Sequence, residues 1–294
     1  MPNEETIKVG IGFATGRKTF RKVLKTNILS WREGGVAQNE NISLNLFVAY
    51  DLKYANTKVT DYTNIPQRLL KDFDGTYFLG KTTMSSEIRN LVSTGALSPE
   101  EAQLFFRGGY AGQRNMVLYW AMKKQMDYLL FLDDDEYPMA VTNTRDWAVW
   151  SGQHVLRSHL RYMLDTGANI TNGYHCGYIS PIPSIEFNNQ LTKEDFRVFI
   201  EAISNDIINW ESLEALMRQG GVTYAEPSIL TGRGYEEIPL VNQCRFISGS
   251  NLCINLKDST RVHPFYNPPG ARGEDTFLEF PAIPSMTDLL HMTS

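Results

Sequence analysis

The stretch Met126–Pro138, MDYLLFLDDDEYP, sets the tightest constraint on how this chain can fold. An apolar run, Tyr128–Leu132, stops abruptly in Asp133, Asp134 and Asp135, followed by Glu136. The run has strand length and is bounded by charge, so it reads as a buried strand delivering carboxylates at its C-terminal end. Consecutive acids repel one another, and a divalent cation is an economical counter-charge; a solvated acidic turn is the alternative. Along an extended chain Asp133 and Asp135 share a face, whereas Asp134 points away and helps to orient the loop. Two carboxylates flanking one Mg²⁺ or Mn²⁺, with phosphate oxygens completing the shell, is the usual chemistry of such a pair.

The rest of the chain supplies an α/β frame for that strand. Thr6–Ala14 is an apolar, β-rich run followed by Thr15-Gly16-Arg17-Lys18; Thr19–Ser30 has helical character, and Ile42–Tyr50 reads as a second strand closed by Asp51. Parallel doubly wound sheets bind ligands at those carboxyl ends. Asn56–Ser98 reads as irregular, with a short strand at Thr76–Leu79. Ser98-Pro99-Glu100-Glu101 is a helix start, with serine as N-cap, proline in the first turn and glutamate three residues on. Gln113–Gln125 reads as an amphipathic helix that leads into the aspartate strand and places Arg114 and Asn115 on the ligand side of the sheet. Beyond the acids, the pattern predicts a helix over Trp147–Asp165 and strands over Ala168–Tyr178 and Cys244–Ile254. Residues 179–241, with Pro181, Pro183, a long helix from about Thr192 to Gln219 and the loop Thr231–Gly234, break the rhythm and read as an insertion over the site.

Several residues carry chemistry. Thr15-Gly16-Arg17 could cradle a phosphate, glycine by permitting close backbone approach and arginine by its fork of donors; a plain β-turn is the alternative. Asp51 could accept from a base or ribose, or cap its strand. Glu274-Asp275 follows a Gly/Pro-rich loop, where a carboxylate can act as general base towards a hydroxyl or cap a helix. Composition narrows the function classes. The net charge is −5 with no basic tract, which does not suggest a nucleic-acid partner. No apolar run reaches the ~18 residues a membrane span needs, and the acidic N-terminus lacks the apolar core of a signal peptide. Cys176, Cys244 and Cys253 share no metal-ligand spacing and read as reduced thiols, in keeping with a cytoplasmic protein.

Taken together, these residues resemble a GT-A glycosyltransferase, closest to the broad family 2 type. Gly112-Gln113-Arg114-Asn115, a helix, and then the strand into Asp133-Asp134-Asp135 resemble that family's Arg-Asn helix and DXD strand. Thr15 and Arg17, Asp51, Gly249-Ser250-Asn251 and Gly273-Glu274-Asp275 follow in the family's order. The resemblance implies a Rossmann-like, mostly parallel sheet flanked by helices, forming one domain over 1–294. Residues 1–140 would be the nucleotide-sugar half and 141–294 the acceptor half, with the insertion near the acceptor. It implies a nucleotide-sugar donor, UDP-linked before GDP-linked, and a carbohydrate or small-molecule acceptor. Thr15, Gly16, Arg17, Asp51, Arg114, Asp133 and Asp134 would line the nucleotide site. Asp133 and Asp135 would hold Mn²⁺ or Mg²⁺, with His291 completing the shell. Asp275, or else Glu274, would be the catalytic base, in a reaction with inversion. A homo-oligomer is compatible with this reading. A sugar nucleotidyltransferase and a catalytically silent nucleotide- or sugar-binding domain stand as the alternatives.

Overall fold

The computed structural model describes residues 6–144, 146–178, 185–203, 209–218, 220–227, 235–241, 244–245 and 247–266. In chain order these form β1 (Ile7–Thr15), α1 (Phe20–Glu33), β2 (Ile42–Tyr50), α2 (Thr60–Thr63), α3 (Gln67–Leu70), β3 (Gly75–Leu79), α4 (Lys81–Ser93), α5 (Pro99–Phe106), α6 (Tyr110–Lys123) and β4 (Tyr128–Leu132). There follow β5 (Met139–Asn143), β6 (Ala148–Gly152), α7 (Val155–Thr166), β7 (Ile170–Asn172), β8 (Gly177–Tyr178), α8 (Lys193–Ile203), α9 (Trp210–Arg218), β9 (Val222–Thr223), β10 (Leu240–Val241), β11 (Cys244–Arg245) and β12 (Leu252–Asn255).

The fold is α/β, built on a six-stranded sheet in the order β3-β2-β1-β4-β12-β7. The four strands β3, β2, β1 and β4 run parallel. β12 runs antiparallel to both β4 and β7. Strand alternation assigns side chains to two cores. Tyr128, Leu130 and Leu132 of β4 join Val9, Ile11 and Phe13 of β1 against Val23, Leu24 and Ile28 of α1 and Leu156 and Leu160 of α7. Leu129 and Phe131 face the other way, onto Met116, Val117 and Leu118 of α6 and Phe105 of α5. Both faces are covered, which is why the parallel strands read as near-continuous apolar runs.

The chain divides into two compact units, Met1–Pro138 with His154–Gly173 and Tyr235–Ser294, and Met139–Gln153 with Tyr174–Gly234. The first holds the sheet. The second contains the antiparallel hairpin β5–β6, the short pair β8–β9 and a small core in which Ile200 of α8 and Leu213 of α9 are buried.

Several elements differ from the sequence expectation. The helix expected over Trp147–Asp165 is split: β-favouring Val149 and Trp150 pair with Thr142 and Val141 in a hairpin, and the helix begins only at Val155. The strand expected over Ala168–Tyr178 is two short strands, and the long helix from Thr192 is two helices, α8 and α9. Asn56–Ser98 is more ordered than its polarity suggests, holding α2, α3 and the longer α4. α6 is not amphipathic. Its residues Ala111 to Tyr119 are all buried, because the sheet, α5 and the segment around Phe265 enclose it.

Candidate functional site

The strand order reverses between β1 and β4, since β2 follows β1 on one side and β12 follows β4 on the other. Such a reversal leaves a crevice beyond the strand ends, where open α/β sheets bind ligands. Register brings the two strand ends level, with Phe13 paired to Leu132. Thr15 and Arg17 therefore emerge beside Asp133, Asp134 and Asp135.

The contacts between them are close. Thr15 Oγ1 donates to Asp134 Oδ2 at 2.5 Å and accepts from Arg17 N at 3.1 Å. Arg17 Nη1 donates to Asp134 Oδ1 at 3.2 Å and to Asp135 Oδ2 at 2.6 Å. One guanidinium thus supplies counter-charge to two carboxylates, of which the sequence assigns Asp135 to a cation. Asp134 is also not turned away from its neighbours. β4 ends at Leu132, so strict alternation lapses over the acids, and carboxylate oxygens of all three lie within 4.8 Å of one another. Asp134 is 1% exposed and held by Thr15 and Arg17, whereas Asp135 lies exposed. Burial pushes the Asp133 carboxyl up to about 6, its acidic neighbours add to the rise, and the nearby Arg114 charge opposes it. Burial raises Asp134 as well, against its bonds to Thr15 and Arg17.

These residues line a cleft of about 360 Å³, within the range of small-molecule sites. Its walls are Arg17, Tyr54, Tyr110, Arg114, Asp133, Asp135, Glu136 and the segment Ser248–Ser250. Arg17 Nη2 donates to the Tyr54 hydroxyl at 3.3 Å, and its guanidinium lies 5.5 Å from the centre of that ring. Tyr110 meets Tyr54 edge-on, 6.0 Å between ring centres. Ser250, itself buried, donates from Oγ to the Glu136 carboxylate.

Not every expected residue reaches the cleft wall. Arg17, Arg114, Asp133 and Asp135 do. Thr15 and Asp134 lie immediately beneath them as a buried hydrogen-bonded pair. Gly16 lends its open side to Tyr54, whose Cβ would lie 2.6 Å from a Cβ placed there, so that space is filled by the tyrosine. Asp51 caps the turn after β2, accepting from Lys53 N at 2.8 Å, the role held open as the alternative for it. Glu274, Asp275 and His291 lie outside the described residues, as do Pro181, Pro183 and the loop Thr231–Gly234. Tyr54 and Tyr110 were missed because they come from separate segments and meet only in space. The sole local signal was Gly108-Gly109, which opens α6 at Tyr110.

The donor set fits a hard divalent cation. Three carboxylates converge, and acids held this close beside a partly buried member are a charge concentration that oxygen-ligated Mg²⁺ or Mn²⁺ would relieve. Among the described residues no other cluster of this kind occurs. No helix among them is long and apolar enough to cross a membrane.

No protein-family model matches the chain, and no curated protein matches it. Among solved structures it is similar to mouse xyloside xylosyltransferase 1 in its apo form, with a TM-score of 0.27 and 11% identity. That similarity covers 57% of this chain, which spans about half of the other (53%).

Proposed function

We propose that the chain is a metal-dependent glycosyltransferase of the GT-A type, moving a sugar from a nucleotide-sugar donor, UDP-linked before GDP-linked, to an acceptor hydroxyl. The observation that carries this reading is the convergence, at the reversal point of the sheet, of two aspartates with two arginines and two tyrosines in one cleft, with Asp134 directly beneath. Carboxylates suit a cation, arginines suit phosphate oxygens, and tyrosines suit the flat faces of a base or sugar ring.

Asp133 and Asp135 would hold the cation, which supplies positive charge against the diphosphate as the glycosidic bond breaks. Arg17 and Arg114, both on the wall of the cleft, would bind the same oxyanion. Asp134, bound to Thr15, would keep the Arg17 loop in place. Asp275, or else Glu274, would take the acceptor proton in a direct displacement that inverts the anomeric centre, and His291 would complete the metal shell. The carbohydrate acceptor would be bound by the later half of the chain, 141–294, with the insertion at 179–241.

A thermal-shift titration with UDP and GDP, each with and without Mn²⁺, tests the binding half. Stabilisation that requires both components is expected, about 2.7 kcal/mol at a hundredfold excess over the dissociation constant. Asp135→Ala should remove the metal-dependent part. Absence of any shift, or release of pyrophosphate from a nucleoside triphosphate and a sugar phosphate, would overturn the reading in favour of its alternatives.

A further inference from the structure

Arg114 is a buried cation, 7% exposed, close enough to Asp133 for its charge to lower that carboxyl against burial. On one side its guanidinium lies 5.5 Å from the centre of the Phe265 ring. On the other it lies directly on Gly249. A Cβ at that position would fall 1.6 Å from Arg114 Nη1 and 2.4 Å from Cζ, so no side chain larger than hydrogen is compatible with this placement.

The backbone at Gly249 is not free to yield. Asn172, the last residue of β7, donates from Nδ2 to the carbonyls of Ser248, Ser250 and Asn251 at 3.0, 3.1 and 3.2 Å. Its Oδ1 accepts from Ser248 N at 3.1 Å. Gly173 N donates to the Asn251 carbonyl at 2.8 Å, and the Asn251 side chain meets His159 Nε2 at 2.9 Å. Asn251 is itself held at φ 49°, a conformation L residues seldom adopt. The loop is fixed from behind, and its front presents bare backbone to a guanidinium.

We infer that Gly249 shapes an anion seat in the cleft: on a backbone locked by Asn172, its missing side chain seats Arg114 where it binds an oxyanion of the diphosphate class. Gly249 and Asn172 act through Arg114 and are positioning residues. For a nucleoside diphosphate the inference rests on the proposed function; for the diphosphate group alone it does not.

Calorimetric titration of the full chain with UDP and with inorganic pyrophosphate, each with Mn²⁺, tests it. Gly249→Ala collides with the far end of a flexible side chain, so the variant is expected to fold with its melting temperature nearly unchanged while Arg114 shifts. Affinity for both probes should fall at least tenfold. In an Arg114→Met background the same substitution should cost nothing further, a non-additivity that a general loosening of the loop would not produce. Should Gly249→Ala not fold, Asn172→Ala frees the loop without adding an atom near Arg114, and its loss of pyrophosphate affinity should likewise vanish in the Arg114→Met background. Binding by Gly249→Ala within twofold of wild type, or losses that multiply in the double variants, would overturn the inference. A wild type that binds pyrophosphate but not UDP, with the loss intact in Gly249→Ala, removes the glycosyltransferase reading and leaves this one standing. A wild type that binds neither overturns both.

Discussion

His159 stands behind the cleft, with Nδ1 at 2.7 Å from Thr171 Oγ1 and Nε2 at 2.9 Å from Asn251 Oδ1. The second contact requires a proton on Nε2, so the neutral ring with Nδ1 accepting from threonine satisfies every partner. Burial holds its pKa below the usual 6.5, only partly opposed by the bond to Asn251. A depressed folded pKa means that stability is whole above about 6.5 and is lost below it, where the unfolded chain binds a proton that the native protein refuses. Over that range the slope approaches about 1.4 kcal/mol per pH unit. Asp133, raised to about 6, works in the opposite sense, since its native form takes up a proton first as pH falls. The informative quantity is therefore the difference between wild type and His159→Gln. Urea midpoints between pH 7 and 5 should fall more steeply for wild type; parallel curves would show that the histidine does not resist protonation. At this scale the sequence was a good guide to residues next to one another in the chain. Arg17, Arg114, Asp133 and Asp135 could all be read from strand ends and a helix start. His159, Asn172 and Tyr54 could not, because each takes its role from a partner far away in the chain.

Among the elements, α6 is joined to separate segments by the buried Asn115. Asn115 is fully buried and donates from Nδ2 to the carbonyls of Phe105 and Phe265 at 2.7 and 2.8 Å. Its Oδ1 accepts from Phe265 N at 2.7 Å. It joins α6 to the end of α5 and to the segment whose ring packs on Arg114. Asn115→Leu keeps the bulk and leaves three buried backbone groups without this partner. Each such group costs about 1–3 kcal/mol and the costs overlap, so a destabilisation of about 3 kcal/mol is expected in chemical denaturation. Diphosphate affinity should fall with it, as Phe265 and Arg114 lose their common anchor. Element boundaries were legible where local chemistry decides them. Ser98 and Glu101 form the expected capping box, and β2 and β4 begin and end where the apolar runs do. The hairpin β5–β6 was not legible, because aromatic residues spaced along Trp147–Gly152 fit a helix face as well as a strand, and only pairing with β5 decides between them. α6 was read as amphipathic because periodicity reports one apolar face and is silent about a helix enclosed on all sides.

For the whole molecule, alternation of strands and helices up to Leu132 made the parallel half of the sheet readable from sequence, while the antiparallel half was not. β1, β2 and β3 lie close in sequence, whereas β4 follows α4, α5 and α6 and must reach β1 across roughly 120 residues, since Phe13 is set opposite Leu132. β12 must pair with β4 across roughly 120 residues, since Leu252 is set opposite Phe131. Closing such a long loop has an entropic cost that local pairing avoids, and folding slows as contacts become more remote. The pairings among β1, β2 and β3 are therefore expected before either pairing of β4. Thr15 and Arg17 follow a strand of that early group, whereas the aspartates are carried in with β4 and Ser248–Asn251 with β12. Pulse-labelled hydrogen exchange should protect amides of Ile7–Tyr50 before those of Leu252–Asn255; simultaneous protection would contradict the order. Until β12 arrives, Arg114 has no loop to rest on and Glu136 no serine to hold it. A nascent or partly unfolded chain would carry its acids and Arg17 but lack a closed seat for anions, so the proposed grip on a diphosphate would be acquired only once β12 has paired.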